Sequence, residues 1–252
     1  MKNSNHRKRR FQYTVRSLLV ALLASAVALS VPAWRRAQYW AQWRAVQRLR
    51  ELRVEVDVEP KEGAWAQWFV GKDAYCTVRT IAFRDQNVTR EMMRCFGRFL
   101  NITQIVMNDC VVEDEDDFSE IEDFTNVASV YFSNTNISDR GLRFFAGFVN
   151  MYELKIENAD ISSDGLAYLA GMKKLEELSV TRCKKMTDAG LCHLQAIGSL
   201  RSLELSDVPI GEKSVAVLKR LTQVEAFKLY FNDVPPNVIP VLKRSLGDSL
   251  ML

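Results

Sequence analysis

The chain has 252 residues, 48% of them apolar and 26% charged, which excludes both a disordered tail and a polytopic bundle of membrane helices. Five cysteines exclude a disulfide-built miniprotein, and two histidines, His6 and His193, leave little material for zinc or acid/base chemistry. The net charge of +3 conceals an asymmetry: residues 1–53 carry twelve Lys or Arg against one acid, Glu51, while the remainder carries 22 bases and 30 acids. A basic, tryptophan-bearing N-terminal stretch suits an anionic lipid surface, whereas an acidic body is repelled by a phosphate backbone, so nucleic acid is not an expected partner.

Residues 1–16 form a basic arm. Ser17 to Trp34 are eighteen consecutive uncharged residues, enough for roughly 27 Å of helix, near the thickness of a bilayer's hydrocarbon core. A cleavable signal peptide is the competing reading, because Val31-Pro32-Ala33 has the small-residue character of a cleavage site. The expected anchor is favoured by Tyr39, Trp40 and Trp43, which follow it as an interfacial aromatic belt does. Residues 35–53 continue with helical spacing in Trp40, Trp43, Val46, Leu49 and Leu52, an amphipathic juxtamembrane helix. Six basic residues precede the span and six follow it, so charge does not orient it. The default for an uncleaved signal sequence is a single pass with the body extracytoplasmic. A buried hairpin helix of a soluble protein is disfavoured by such basic flanks.

Val54, Val56 and Val58 alternate with charges and predict an extra strand, and Trp65, Trp68 and Phe69 come next with bulk. Residues 54–77 are therefore expected to form an N-terminal cap on the domain that begins at residue 78. From that residue the sequence repeats. Blocks start at Val78, Ile102, Val127, Met151, Leu175, Leu200 and Val224, a period of 24 or 25 residues that signals a solenoid. The fourth column reads Ile81, Ile105, Val130, Leu154, Leu178, Leu203, Phe227, and the sixth Phe83, Met107, Phe132, Ile156, Val180, Leu205, Leu229. Apolar columns two residues apart predict a strand with one buried face. In the second half of a block apolar residues recur every three, as in Leu166, Leu169 and Met172, which predicts a helix. Thr89, Ser138, Ser162 and Thr187 stand where a hydroxyl can cap those helices. Such a unit buries its faces only by stacking on neighbours, giving an α/β solenoid with a parallel sheet on the concave side. Pro235-Pro236 are expected to start a last helix, with Leu246, Leu250 and Leu252 folded over the final block.

The segments Ile161-Ser162-Ser163-Asp164-Gly165-Leu166 and Leu178-Ser179-Val180-Thr181-Arg182-Cys183 … Met186-Thr187-Asp188-Ala189-Gly190-Leu191 resemble leucine-rich repeats of the cysteine-containing, ribonuclease-inhibitor-like kind. That resemblance covers residues 78–252. Arg9-Arg10-Phe11-Gln12-Tyr13-Thr14-Val15-Arg16-Ser17-Leu18-Leu19 and Ala64-Trp65 … Phe69-Val70-Gly71 are similar to membrane-anchored leucine-rich-repeat proteins of planctomycete bacteria. The resemblance implies protein binding without enzymatic activity. Two blocks depart from it: the second, where an acidic run replaces Thr-Asp-x-Gly-Leu, and the last, which holds Pro235, Pro236 and Pro240.

Other candidate chemistry is thin. Glu113 to Asp123 hold eight acids in eleven residues but lack the glycine and spacing of a calcium loop, and acids at a helix start need no metal. Cys110 and Cys183 share a column three blocks apart, roughly 14 Å at one strand spacing per block, beyond disulfide reach. They are expected as buried free thiols. His193 lies beside Cys192 with no third group in register to orient it. No metal or cofactor is expected. The best candidate is the concave sheet face, whose polar columns carry Tyr131, Tyr152, Lys155, Glu177, Arg201, Glu204, Lys228 and Tyr230 as partner-binding residues. The expected function is a membrane-tethered, non-catalytic module that binds another protein through that face, touching lipid through residues 17–53. The rival expectation is a soluble or secreted adaptor that presents a partner to an enzyme. A hydrolase is disfavoured by the missing glycine-framed nucleophile.

Overall fold

The structure, a computed structural model, describes Val20 and residues 33–60, 76–99, 101–209, 212–230, 239–247 and 250–251. The chain divides into two compact units, one of residues 1–44 and 60–76, the other of 45–59 and 77–252. The apolar segment 17–34 falls almost wholly outside the described residues, as do Trp65, Trp68, Phe69, Pro235 and Pro236. Among the described residues no helix is long and apolar enough to cross a membrane.

Helix α1 spans Ala33–Glu51. Its first part belongs to the smaller unit, where the Trp40 and Trp43 rings meet edge to face at 5.7 Å. Its last turns belong to the larger unit, where Ala45, Val46 and Leu49 are buried in the repeat core. Arg48 ties that end down, pairing with Glu51 at 2.8 Å and with Glu91 of the first repeat at 2.7 Å. The three-and-four spacing that predicts an amphipathic helix over 35–53 is thus satisfied, in its second half, by protein core.

The larger unit is built on a nine-stranded sheet in the order β1 (Glu55–Pro60), β2 (Cys76–Arg84), β4 (Gln104–Asn108), β6 (Ser129–Ser133), β7 (Glu153–Glu157), β8 (Glu177–Thr181), β9 (Ser202–Ser206), β10 (Ala226–Tyr230), β11 (Leu250–Met251). From β2 to β11 every pairing is parallel, and the register places like columns side by side: Ile81, Ile105, Val130, Leu154, Leu178, Leu203, Phe227 and Leu250 form one unbroken row. Seven strands come from the repeats. Val56 and Val58 lie in β1 at one end, and Leu250 brings β11 onto the other. A small second sheet joins β3 (Asn87–Val88) to β5 (Val111–Val112).

The return half of each block is short. Helices α2 (Arg90–Phe96), α3 (Asp139–Phe145) and α4 (Glu212–Leu218) are interspersed with 3-10 helices at Glu115–Ile121, Gly165–Gly171 and Gly190–Ala196, and α5 (Ile239–Leu246) closes the array. The three-residue apolar spacing suits the 3-10 turns, because residues i and i+3 eclipse at three per turn. Leu166, Leu169 and Met172 are all buried on one line, and so are Leu191, Leu194 and Ile197. Even the acidic block obeys the pattern, with Phe118 and Ile121 fully buried. Its acids are occupied locally: Asp117 pairs with Arg90 at 3.0 Å, and Asp116 with Arg140 and Arg143. Among the described residues no group of His, Cys, Asp or Glu is arranged to hold a metal ion.

Capping follows the expected rule only in part. Thr89 and Ser138 cap their own helices, accepting from Met92 N at 3.5 Å and Arg140 N at 3.2 Å. Ser162 accepts in the same way from Asp164 N at 3.2 Å, just ahead of the 3-10 helix that starts at Gly165. Thr187 does not, since the 3-10 helix after it starts from Ala189 without a side-chain cap. A second set of bonds runs between blocks, where a side chain at one helix start reaches forward into the next. Glu115 accepts from Ser138 N and Oγ, Asp139 from Ser162 N and Oγ, Ser163 Oγ bonds Thr187 at its N–H, and Asp188 accepts from Ser214 Oγ. Three of these bonds satisfy backbone N–H groups, those of Ser138, Ser162 and Thr187. Asp139→Ala is expected to lower stability by about 1–2 kcal/mol in urea unfolding, the range for losing a cap.

Just past β2, β4, β6, β7, β8 and β9 the backbone turns left-handed, at Asp85, Asp109, Asn134, Asn158, Arg182 and Asp207, with φ between 48° and 56°. Asp and Asn tolerate that region, and here they also link blocks: Asn134 donates to Asp109 at 2.8 Å and Asn158 to Asn134 at 2.9 Å. The next column points inward. Cys110 and Cys183 are buried free thiols there, as expected, donating to the carbonyls of Asn108 and Thr181 at 3.1 and 3.5 Å. Thr135 stands in the same column with its buried hydroxyl unpartnered. Thr135→Cys, which restores the thiol of its neighbours, is expected to raise stability by about 1 kcal/mol in the same assay.

Candidate functional site

With columns four and six turned into the core, columns three, five and seven line the other, open face of the sheet. The register makes each a continuous row. Column five runs Val106, Tyr131, Lys155, Ser179, Glu204, Lys228, so four of the expected binding residues stand in one row in order. Glu177 lies in column three between Glu153 and Ser202. Tyr230 ends β10 in column seven, its hydroxyl 3.9 Å from Met251 Sδ.

Tyr152 and Arg201 stand in a further row, with Glu176 between them and Glu225 beyond. Each precedes its strand by one residue, so they belong to a row along the edge where the strands begin rather than to the pleated face. That row is held by the backbone: Glu176 N donates to Tyr152 O at 2.8 Å, Arg201 N to Glu176 O at 2.8 Å, and Glu225 N to Arg201 O at 2.7 Å. Arg201 spends its guanidinium within the row, on Glu225 at 3.5 Å and on the Gln223 carbonyl at 3.1 Å. Tyr152 is 44% exposed.

The centre of the open face is a three-residue cluster. Tyr131 donates its hydroxyl to Glu153, Lys155 Nζ lies 2.5 Å from the same carboxylate, and the ammonium sits 5.0 Å from the centroid of the Tyr131 ring. Burial acts to raise the Glu153 pKa, but the Lys155 ammonium and the Tyr131 hydroxyl outweigh it and hold the carboxyl below its ordinary value. Burial, together with the bond to Glu153, pushes the Tyr131 phenol up, so it stays a donor. Lys155 is raised, chiefly by its bond to Glu153. Glu153, only 8% exposed, is the residue that the expected set of eight lacked. Its signal in the sequence is diagonal: column three of β7 lies one strand and two residues from column five of β6, and becomes a neighbour only once the register is known.

At the end where the strands finish, Asn134, Asn158, Asp160, Arg182, Lys184 and Lys185 line a cleft of about 510 Å³. The extra residue in the fifth block places the two lysines there. Its cations are already matched, Arg182 with Glu157, Lys184 with Asp207, and Lys185 with Asp160 at 2.6 Å. The Arg182 guanidinium holds the Glu157 carboxyl below its usual range. A carboxyl depressed in the folded state adds stability above its unfolded value, and that stability is lost as pH falls through the folded one. Thermal melts of the wild type are therefore expected to fall more steeply below pH 4.5 than those of Glu157→Gln; parallel curves would contradict the assignment.

The Cys192 thiol donates to the Ala189 carbonyl at 2.9 Å. The open face offers a rigid, hydrogen-bonded polar surface with an exposed aromatic at its edge, an arrangement that can hold a partner.

No family model matches the chain, and no curated protein matches it. Among solved structures the chain is similar to internalin C2 from Listeria monocytogenes, at 16% identity and a TM-score of 0.49, over 71% of this chain and 80% of that one. It is also similar to the internalin InlF from Listeria monocytogenes, at 15% identity and a TM-score of 0.37, covering 66% and 64% of the two chains. A third similarity is to the plant peptide hormone receptor RGFR1, solved in complex with RGF2, at 11% identity and a TM-score of 0.39 over 59% and 23%.

Proposed function

We propose that this protein is a membrane-tethered, non-catalytic module that binds another protein on the open face of its repeat sheet. The observation that carries the reading is the Tyr131–Glu153–Lys155 cluster, three side chains fixed by one another at the centre of a face that the repeat leaves uncovered. A rigid aromatic and a pre-paired charge lose little conformational freedom when a partner seats on them, which is how binding hot spots reach useful affinity. Tethering rests on the uncharged segment 17–34 and the aromatic residues after it, with the body extracytoplasmic. The cysteine-containing, ribonuclease-inhibitor-like subtype belongs to the same proposal, carried by the segments 161–166 and 178–191, as does the likeness to anchored planctomycete proteins, carried by residues 9–19 and 64–71.

Two experiments test it. Carbonate extraction of membranes from expressing cells should leave the full chain in the pellet; release into the supernatant overturns the tether. A photo-crosslinking residue at Ser179, in the fifth-column row, should capture discrete protein adducts that disappear with Tyr131→Ala. The same adducts from a crosslinker at Lys219, on the return side, would overturn the choice of face.

A further inference from the structure

The binding face has a sign. From β7 to β10, the open face and its strand-entrance row carry six carboxylates, Glu153, Glu157, Glu176, Glu177, Glu204 and Glu225, against three cations, Lys155, Arg201 and Lys228. Half of those carboxylates are spoken for by Lys155, Arg182 and Arg201. Glu176, Glu177 and Glu204 form neither a side-chain hydrogen bond nor an ion pair among the described residues, although Glu177 lies close enough to Lys155 to favour its charged form. Lys228 is in register with Glu204 on the next strand, yet no ion pair joins them. The three unpaired acids run from the entrance row onto the pleat: Glu176 bonds through its backbone to Tyr152, Glu177 comes next in β8, and Glu204 lies one strand over and two residues along.

We infer that the occupant of this face is a cationic segment of another protein, extended across β7 to β9, with alternate Lys or Arg side chains meeting Glu177 and Glu204 and a third stacked on Tyr152. This deepens the proposed function and rests on it. Charge complementarity supports it: unpaired like charges at the centre of an interface disfavour an acidic or neutral partner and draw a basic one. Geometry supports it as well. One strand spacing combined with two residues of rise separates the Glu177 and Glu204 backbones by roughly 8 Å. Alternate side chains of an extended segment repeat every 6 to 7 Å or so, within reach of both. Tyr152 presents an exposed ring beside Glu176, the setting in which an Arg or Lys head stacks on an aromatic face.

The experiment uses the full chain in detergent and a fluorescent, end-blocked heptapeptide alternating serine and arginine, with a serine–glutamate counterpart, read by anisotropy at low and physiological salt. The arginine peptide should bind, the glutamate peptide should not, and binding should weaken with salt. Glu177→Gln with Glu204→Gln should weaken it at least tenfold, and Tyr152→Ala several-fold. Glu122→Gln with Asp123→Asn removes the same charge from a turn outside the sheet and should leave binding unchanged. Equal loss from both double variants would overturn the inference, because the peptide would then be reading net charge. Binding that appears only after Arg7, Lys8, Arg9 and Arg10 are changed to serine would also overturn it, showing the chain's own arm to be the occupant. Absence of binding while the Ser179 crosslinks persist would sink the cationic partner and leave the proposed face standing. Loss of those crosslinks as well would remove both.

Discussion

Phe145→Ala is expected to be among the most damaging single substitutions in the repeat body, lowering its unfolding free energy by about 3–5 kcal/mol, the range for emptying a large aromatic site. The first three blocks differ from the rest in what fills them. Blocks four to six hold mainly leucine, whereas Phe83, Phe96, Phe118, Phe132, Phe145 and Phe148 are fully buried in the first three. Phe145 is the hub of that group. Its ring meets Phe118, Phe132 and Phe148, each at 5.1 Å between centroids and each edge to face. Those three partners come from the preceding helix, from the strand of its own block and from the turn after α3. Truncation therefore loses contacts within a block and between blocks at once, and edge-to-face pairs add roughly 0.5–1.5 kcal/mol each beyond the area they bury. Urea unfolding followed by circular dichroism checks the magnitude. In a repeat array, where each unit contacts only its neighbours, the loss should also lower cooperativity, so that a reduced m-value accompanies the shifted midpoint. A change below about 1 kcal/mol would mean that the aromatic cluster is not the core of the first blocks.

Phe145 also shows what the sequence reveals and what it hides. Apolar columns at period two and period three locate most of the buried apolar positions in the repeats, because in a solenoid each block solves the same packing problem and the answer is written several times over. Leu154, Leu178 and Leu203 align in register as their shared column requires. The type of helix was less legible: spacing of three suits both a turn of α-helix and a 3-10 helix, and seven residues are too few for periodicity to separate them. Side chains that act across blocks were hidden further. Asp139 reads as a residue of its own helix start, yet its carboxylate serves Ser162, 23 positions on. Glu153 reads as one more surface acid until the register sets it beside Tyr131 and Lys155. Arg201, one of the expected binding residues, also pairs with Glu225 and the Gln223 carbonyl, contacts that column alternation does not describe because residues two before a core column lie ahead of the strand.

Gly190→Ala is expected to cost about 2–3 kcal/mol, at the upper end of what overpacking does to a tight site, while Gly171→Ala and Gly198→Ala leave stability unchanged or raise it. The difference is one of space. A Cβ on Gly190 would stand 2.8 Å from Ser163 Cα and 3.1 Å from Ser163 O, in the helix start of the preceding block. Backbone gives way only by moving a whole turn, and this turn is the one whose Ser163 hydroxyl receives Thr187 N at 3.0 Å. The added methyl thus forces a choice between a steric clash and a lost inter-block hydrogen bond. Around Gly171 and Gly198 no atom lies within 4 Å of the same hypothetical Cβ, so alanine there only stiffens the unfolded chain. The series runs along the fold. Gly141 and Gly165 occupy the equivalent place, where a Cβ would crowd the Glu115 and Asp139 carboxylates that cap the next block. The sixth block replaces the glycine with Ser214, which is buried and donates its hydroxyl to Asp188. A small residue is therefore required here because each block lays a polar side chain, or its backbone, across the start of the next helix. Gly165→Ser tests that logic directly: its hydroxyl can take the bond that Ser214 makes, so it should recover part of the stability that Gly165→Ala loses, measured as the difference in urea midpoint. If alanine and serine at 165 prove equal, the carboxylate above the glycine is not what sets its size.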